Sequence, residues 1–168
     1  MMKKLITGLA MLLLLGGTAQ NSFALFGAYA DIPLSFSFSD CTTKCSQTPS
    51  GAKTGILLMG LGLGIEKYDI KDTGLEVNYN IYDVSYLLPI PVINLTLGLG
   101  VGNADVTLGA NSKASLLSQT WGSLGFPIAG PLDLHIGYHN VNAQKVNVGG
   151  IPINPSGTMW SLGALLNF

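Results

Sequence analysis

The chain has 168 residues, 48% of them hydrophobic and 10% charged, with a mean hydropathy of +0.43 and a formal net charge of −1. It contains no Arg, so it offers neither a basic face for nucleic acid nor a guanidinium fork for phosphate. After residue 24 no run of about 18 apolar residues occurs, which excludes a spanning helix.

The first element is an export signal. Met1-Met2-Lys3-Lys4 is basic, Leu5 to Gly17 is uncharged and apolar, and Thr18 to Ala24 is polar and ends in Ser22-x-Ala24. That order predicts a secretory signal peptide over 1–24, cut after Ala24. The apolar stretch is shorter than the roughly 20 residues of a spanning helix. A second small-x-small site, Ala28-Tyr29-Ala30, lies far from it, and no Cys stands at a lipoprotein cleavage point. Residues 25–168 are then one domain, with six Lys against nine acidic residues.

The rest of the chain reads as strands. Leu25 to Phe38 alternates, with Ile32, Leu34, Phe36 and Phe38 on one face, Asp31, Ser35 and Ser37 on the other, and Pro33 marking an irregularity. Ser39 to Lys53 reads as a polar loop. Thr54 to Ile65 reads as one strand, and Glu66 to Thr73 as a charged loop. Gly74 to Leu88 carries an apolar face that moves from Leu75, Val77, Tyr79 and Ile81 to Tyr82, Val84, Tyr86 and Leu88. A change of phase by one residue predicts a β-bulge near Ile81-Tyr82.

Pro89 to Pro91 predicts a tight turn. Val92 to Val101 alternates most cleanly, with Ile93, Leu95, Leu97, Leu99 and Val101 against Asn94, Thr96, Gly98 and Gly100. Asn103 to Ser112 is weaker and polar. Lys113 to Phe126 is a strand and Pro127 to Pro131 a second turn. Leu132 to Val141 opposes Leu132, Leu134, Ile136 and Tyr138 to Asp133, His135, Gly137 and His139. Asn142 to Ser156 reads as a loop. Gly157 to Phe168 closes the chain, with Trp160, Leu162, Ala164, Leu166 and Phe168 on one face.

That terminal alternation, ending on Phe168, resembles the carboxy-terminal insertion signal of bacterial outer-membrane β-barrels, and the patterning of most of the chain resembles the small eight-stranded class. The resemblance implies an all-β, antiparallel, up-and-down transmembrane barrel of eight strands. It implies outer-membrane lipid as surroundings and the barrel-assembly machinery as the partner that reads the last strand. A monomer without cofactor or nucleic-acid partner is expected. Seven strands are evident; Lys145 to Ile153, or a split of Leu25 to Lys53, are the expected homes of the eighth. The stretches 103–112 and 142–156 are expected as extracellular loops, and the Pro-bounded turns as periplasmic.

Few residues invite chemistry. Gly60-x-Gly62-x-Gly64 and Gly98-x-Gly100-x-Gly102 sit at period 2 inside strands, without the strand-to-helix setting of a phosphate loop; inward Gly would instead leave room in a narrow barrel. Cys41 and Cys45 are expected to form a disulfide in an exported chain, closing too short a loop to stabilise strongly. His135, His139, Asp133 and Ser161 share the inner face and could form a hydrolase constellation, although polar filling is the expectation. Tyr86, Trp121, Phe126, Trp160 and Phe168 read as aromatic girdles. A non-enzymatic structural or surface role is expected, with a narrow channel for small hydrophobic solutes and a lipid hydrolase or acyltransferase as alternatives.

Overall fold

The computed structural model describes residues 25–40, 46–72, 74–90 and 93–168. The expected signal peptide over 1–24 and the expected Cys41–Cys45 bond lie outside them.

A sheet that must pair every amide without water has to meet its own edge, and this one does. The strands β1 (Phe26–Phe38), β2 (Ser46–Gln47), β3 (Ser50–Leu58), β4 (Leu61–Asp72), β5 (Leu75–Ile90), β6 (Ile93–Leu108), β7 (Asn111–Ala129) and β8 (Leu132–Ala143) follow in order. Then come β9 (Val146–Val148), β10 (Ile151–Ile153) and β11 (Gly157–Asn167). Among the described residues, eight of them (β1, β3 to β8 and β11) form one antiparallel ladder, and β11 returns to pair with β1 from Gly27↔Asn167 to Phe38↔Gly157. Phe168 extends the seam: its N–H donates to Phe26 O at 2.7 Å, and Phe26 N–H donates to Phe168 O at 3.2 Å. This is the expected eight-stranded up-and-down barrel. β2 is a short flap on the end of β1, and β9–β10 is a separate hairpin.

The eighth strand comes from neither expected place. Thr54 to Ile65 is not one strand but the hairpin β3–β4, with Leu58 opposite Leu61. Met59 and Gly60 form its two-residue turn with φ of 51° and 82°, the left-handed pair that matches strand twist. A two-residue turn shifts the outward parity: Ile56 and Leu58 face out before it, Leu61, Leu63 and Ile65 after it. Leu57, expected beside Leu61, is therefore buried inside. Glu66 to Asp72 is the upper part of β4, not a loop, and residues 103–112 are the end of β6, a turn at Gly109-Ala110 and the start of β7. Lys145 to Ile153 forms the separate β9–β10 hairpin. The irregularity at Pro33 is real: the ladder slips between Pro33 and Ser35. The slip turns Phe36 inward, away from the face of Ile32 and Leu34 to which its spacing assigned it.

No bulge occurs at Ile81-Tyr82. Both ladders of β5 run through that point unbroken. The apolar face changes sides because the surroundings change. Below, Tyr82, Val84 and Tyr86 are exposed outside while Asp83 and Ser85 are buried inside. Above, Val77, Tyr79 and Ile81 are buried inside while Glu76, Asn78 and Asn80 face out. The same reversal occurs on β4 (Leu63 and Ile65 out, Tyr68 and Ile70 in), on β6 (Leu99 and Val101 out, Ala104 and Val106 in) and on β8 (Tyr138 out, Val141 in). One end of the barrel thus wears an apolar belt over a polar lumen. The other end has a polar outside over an apolar core of Phe36, Tyr68, Tyr79, Ile81, Val141 and Met159, with Val146 and Val148 of the hairpin packed into it.

The two tiers predict opposite responses to charge on the outer surface. Leu97→Arg, in the belt, should cost about 2–4 kcal/mol near the bilayer midplane. Asn78→Arg, above the belt, should stay within about 0.5 kcal/mol. Urea titration in lipid vesicles checks this, and equal costs would contradict the boundary.

Candidate functional site

The polar lumen inside the belt is centred on Lys53. Residue spacing put Lys53 at the end of the polar loop Ser39 to Lys53, but β3 begins at Ser50 and turns this residue inward, where it is 3% exposed. Its Nζ lies 2.9 Å from Glu66 Oε1 and 3.3 Å from Asp83 Oδ1, both carboxylates being fully buried as side chains. It also stands 3.0 Å from the centre of the Trp121 ring, where the π-face attracts a cation. Trp121 is therefore not part of a girdle; it is a lumenal wall. Tyr86, Phe126, Trp160 and Phe168 do face outward.

The network continues across the barrel. Gln119 Nε2 donates to Glu66 Oε1 at 2.8 Å and lies 3.1 Å from His139 Nδ1. An amide nitrogen only donates, so Nδ1 accepts and the imidazole proton sits on Nε2. Nε2 is 3.0 Å from Ser161 Oγ, to which it donates. The His139 ring stacks on Trp121 with centroids 5.7 Å apart. Nearer the terminal end, His135 Nε2 donates to Asp31 Oδ1 at 2.6 Å, and Asn167 Nδ2 donates to Asp133 Oδ2 at 2.9 Å, with Asn94 on the same oxygen.

Asp133, His135, His139 and Ser161 all face inward, as expected, but in two separate groups. Asp133 and His135 lie toward the barrel end that carries the termini. Ser161 meets His139, not His135. Ser161 and His139 touch as a nucleophile and base would, yet the proton on Nε2 leaves no lone pair for the Ser161 hydroxyl, Glu66 lies 3.6 Å from Nδ1, and Ser161 is 1% exposed. Among the described residues no group of acidic, His or Cys side chains is arranged to hold a metal ion.

Glycine makes the space. A Cβ on Gly98 would stand 2.3 Å from the Trp121 indole, and one on Gly64 would stand 2.4 Å from the Tyr29 hydroxyl. Gly64 and Gly98 are therefore seats for large side chains from other strands, as the spacing suggested, whereas Gly60 lies in the β3–β4 turn and Gly102 lies against the Asn80 backbone. Lys53, Glu66, Asp83 and Gln119 were missed. The available signal was parity: Lys53 is in step with Gly55, Glu66 with Gly64, and each Gly marks the inner face.

Above the lumen the loop end is tied down. Tyr79 Oη donates to Pro155 O at 2.6 Å, and Ser156 Oγ donates to Ala143 O at 3.0 Å. Lys145 Nζ donates to Asp40 Oδ2 at 2.8 Å, which, with Asn154, holds the exposed Asp40 carboxyl below its usual range.

The expected insertion-signal residues Trp160, Leu162, Ala164 and Leu166 lie on the outer face of β11, between β8 and β1.

Removing only the cation should be worse than removing the whole group, because it strands two buried carboxylates. Lys53→Met should cost about 3–5 kcal/mol, and adding Glu66→Gln and Asp83→Asn should recover a large part. Unfolding titrations of the single and triple variants in vesicles measure both. A triple variant less stable than the single would overturn the pairing.

No protein-family model matches the chain, and no curated protein matches it by sequence. Among solved structures it is similar to the crystal structure of neisserial surface protein A, with a TM-score of 0.62 and 17% identity over 85% of this chain and 97% of that one. The likeness shows the fold, a closed eight-stranded antiparallel barrel.

Proposed function

We propose that the chain is an integral outer-membrane barrel whose role is structural or surface-interactive, carried by the end that projects beyond the belt. It is exported by a signal peptide cut after Ala24. The end with both termini and the turns at Met59-Gly60 and Gly130-Pro131 faces the periplasm, since periplasmic turns are short. Phe168 and the outer face of β11 are what the barrel-assembly machinery reads. Cys41 and Cys45 close a small loop outside the membrane, and the protein works as a monomer.

The observation that carries this reading is the twofold filling of the lumen. The ionic group around Lys53 fills it within the belt, and the apolar core with Val146 and Val148 fills it above. A narrow channel for hydrophobic solutes would need that core displaced. The hydrolase reading has the Ser161–His139 contact in its favour, and the proton on His139 Nε2 and the burial of Ser161 against it.

Vesicles containing the folded protein should leak a small dye no faster than empty vesicles, and should not release fatty acid from their lipids. Leakage above the empty control would revive the channel. Hydrolysis abolished by Ser161→Ala would make the protein an enzyme. Separately, deleting Phe168 should block assembly while export continues, because it removes the last pair of the β1–β11 seam. Normal outer-membrane levels of the deletion would refute the insertion signal.

A further inference from the structure

The two glycine runs also shape the outer wall. Gly55, Gly64 and Gly100 are cross-strand partners along one line that also includes Asp83. A Cβ on Gly55 or Gly64 would collide with the lumenal Tyr29, and one on Gly100 would crowd Ile81, so along this line the backbone lies closer to its lumenal neighbours than a wall with Cβ atoms could. The outside is correspondingly dented. A groove crosses β3 to β6, with Gly64 and Gly100 in its floor. Its upper bank is Ile65, Tyr82 and Val101; its lower bank is Leu63, Val84 and Leu99. Four strands at a spacing of about 4.8 Å make it roughly 15 Å long, enough for much of an acyl chain.

One cation stands over it. Lys67 is the next outward residue above Ile65 on β4, about 7 Å further along the strand, and is exposed. It has no ion-pair partner among the described residues, whereas Lys53, Lys71 and Lys145 are all paired. Asp69, the next outward residue, stands further from the groove. The neighbours of Lys67 across the ladder, Ala52 and Asn80, are uncharged. Lys67 therefore sits where the apolar belt gives way to a polar surface, the depth at which a lipid headgroup lies.

We propose that this groove seats one acyl chain of a phospholipid whose anionic phosphate pairs with Lys67. The inference rests on the membrane embedding proposed above. It adds a defined site to what would otherwise be a uniform annulus, and gives the glycine runs a second use.

The test is native mass spectrometry of barrels released by mild detergent from vesicles of equal phosphatidylglycerol and phosphatidylcholine. Heat-modifiable migration on a gel first shows that the protein has inserted. The wild type should carry one phosphatidylglycerol. Val84→Trp, which fills the groove with another apolar group, should lose it; Leu63→Trp fills the same groove from the next strand and serves should the first variant fail to fold. Lys67→Ala should lower the preference for phosphatidylglycerol over phosphatidylcholine about fivefold, the worth of one basic residue near an anionic surface. An inserted wild type that carries no lipid, or carries both lipids equally, overturns the site alone. So does retention unchanged by groove filling. Efficient pairing of barrels through a Val84→Cys crosslink would assign the groove to a second copy instead. Failure of the wild type to insert overturns both the site and the membrane reading.

Discussion

Backbone amides in hydrocarbon have no water to pair with, and an open sheet would leave a row of them bare on each edge. That constraint makes the β1–β11 seam the contact on which the remaining structure depends. The seam runs the whole length of β11 and is completed by the reciprocal bonds between Phe26 and Phe168. Once eight strands close, the interior is just wide enough for side chains. Everything inside then follows from two facts: the space is narrow, and the apolar residues have already been committed to the outside.

The lumen within the belt is therefore polar by default, and polar groups there must find each other. Lys53, Glu66, Asp83, Gln119, His139 and Ser161 do so as a chain reaching from β3 to β11, while Asp31 and His135 pair nearer the terminal end. Taking such charges out of water is costly, and their attraction offsets the cost only when geometry is good and the remaining atoms are bonded. The group ties distant strands together with directional contacts, which a greasy filling would not do. Glycine opposite Tyr29, Trp121 and His135 is what lets those rings fit.

Beyond the belt the logic turns over. The same strands run on into water, where the outer face becomes polar and the inner face apolar, and an ordinary hydrophobic core forms inside the barrel's upper end. The β9–β10 hairpin covers it with Val146 and Val148. Such a core both stiffens the projecting rim and closes the path that a channel would need.

Period-2 alternation along the chain determined the fold class by itself, because only strands put every second residue on one face. It also assigned the faces of β6, β8 and β11 and the inward setting of Asp133, His135, His139 and the glycines. It could not say which face was inner, since apolar means outward in hydrocarbon and inward in water. That is why the reversal at Ile81-Tyr82 looked like a bulge. Nor could it separate one strand from two where the turn itself was oily: Met59 kept the pattern alive across a hairpin, and the eighth strand was hidden there. The partners of Lys53 and Trp121 needed the closed barrel, because they come from other strands whose register the spacing alone does not give. Spacing along a strand records which residues share a face; only the register of all eight strands decides what that face meets.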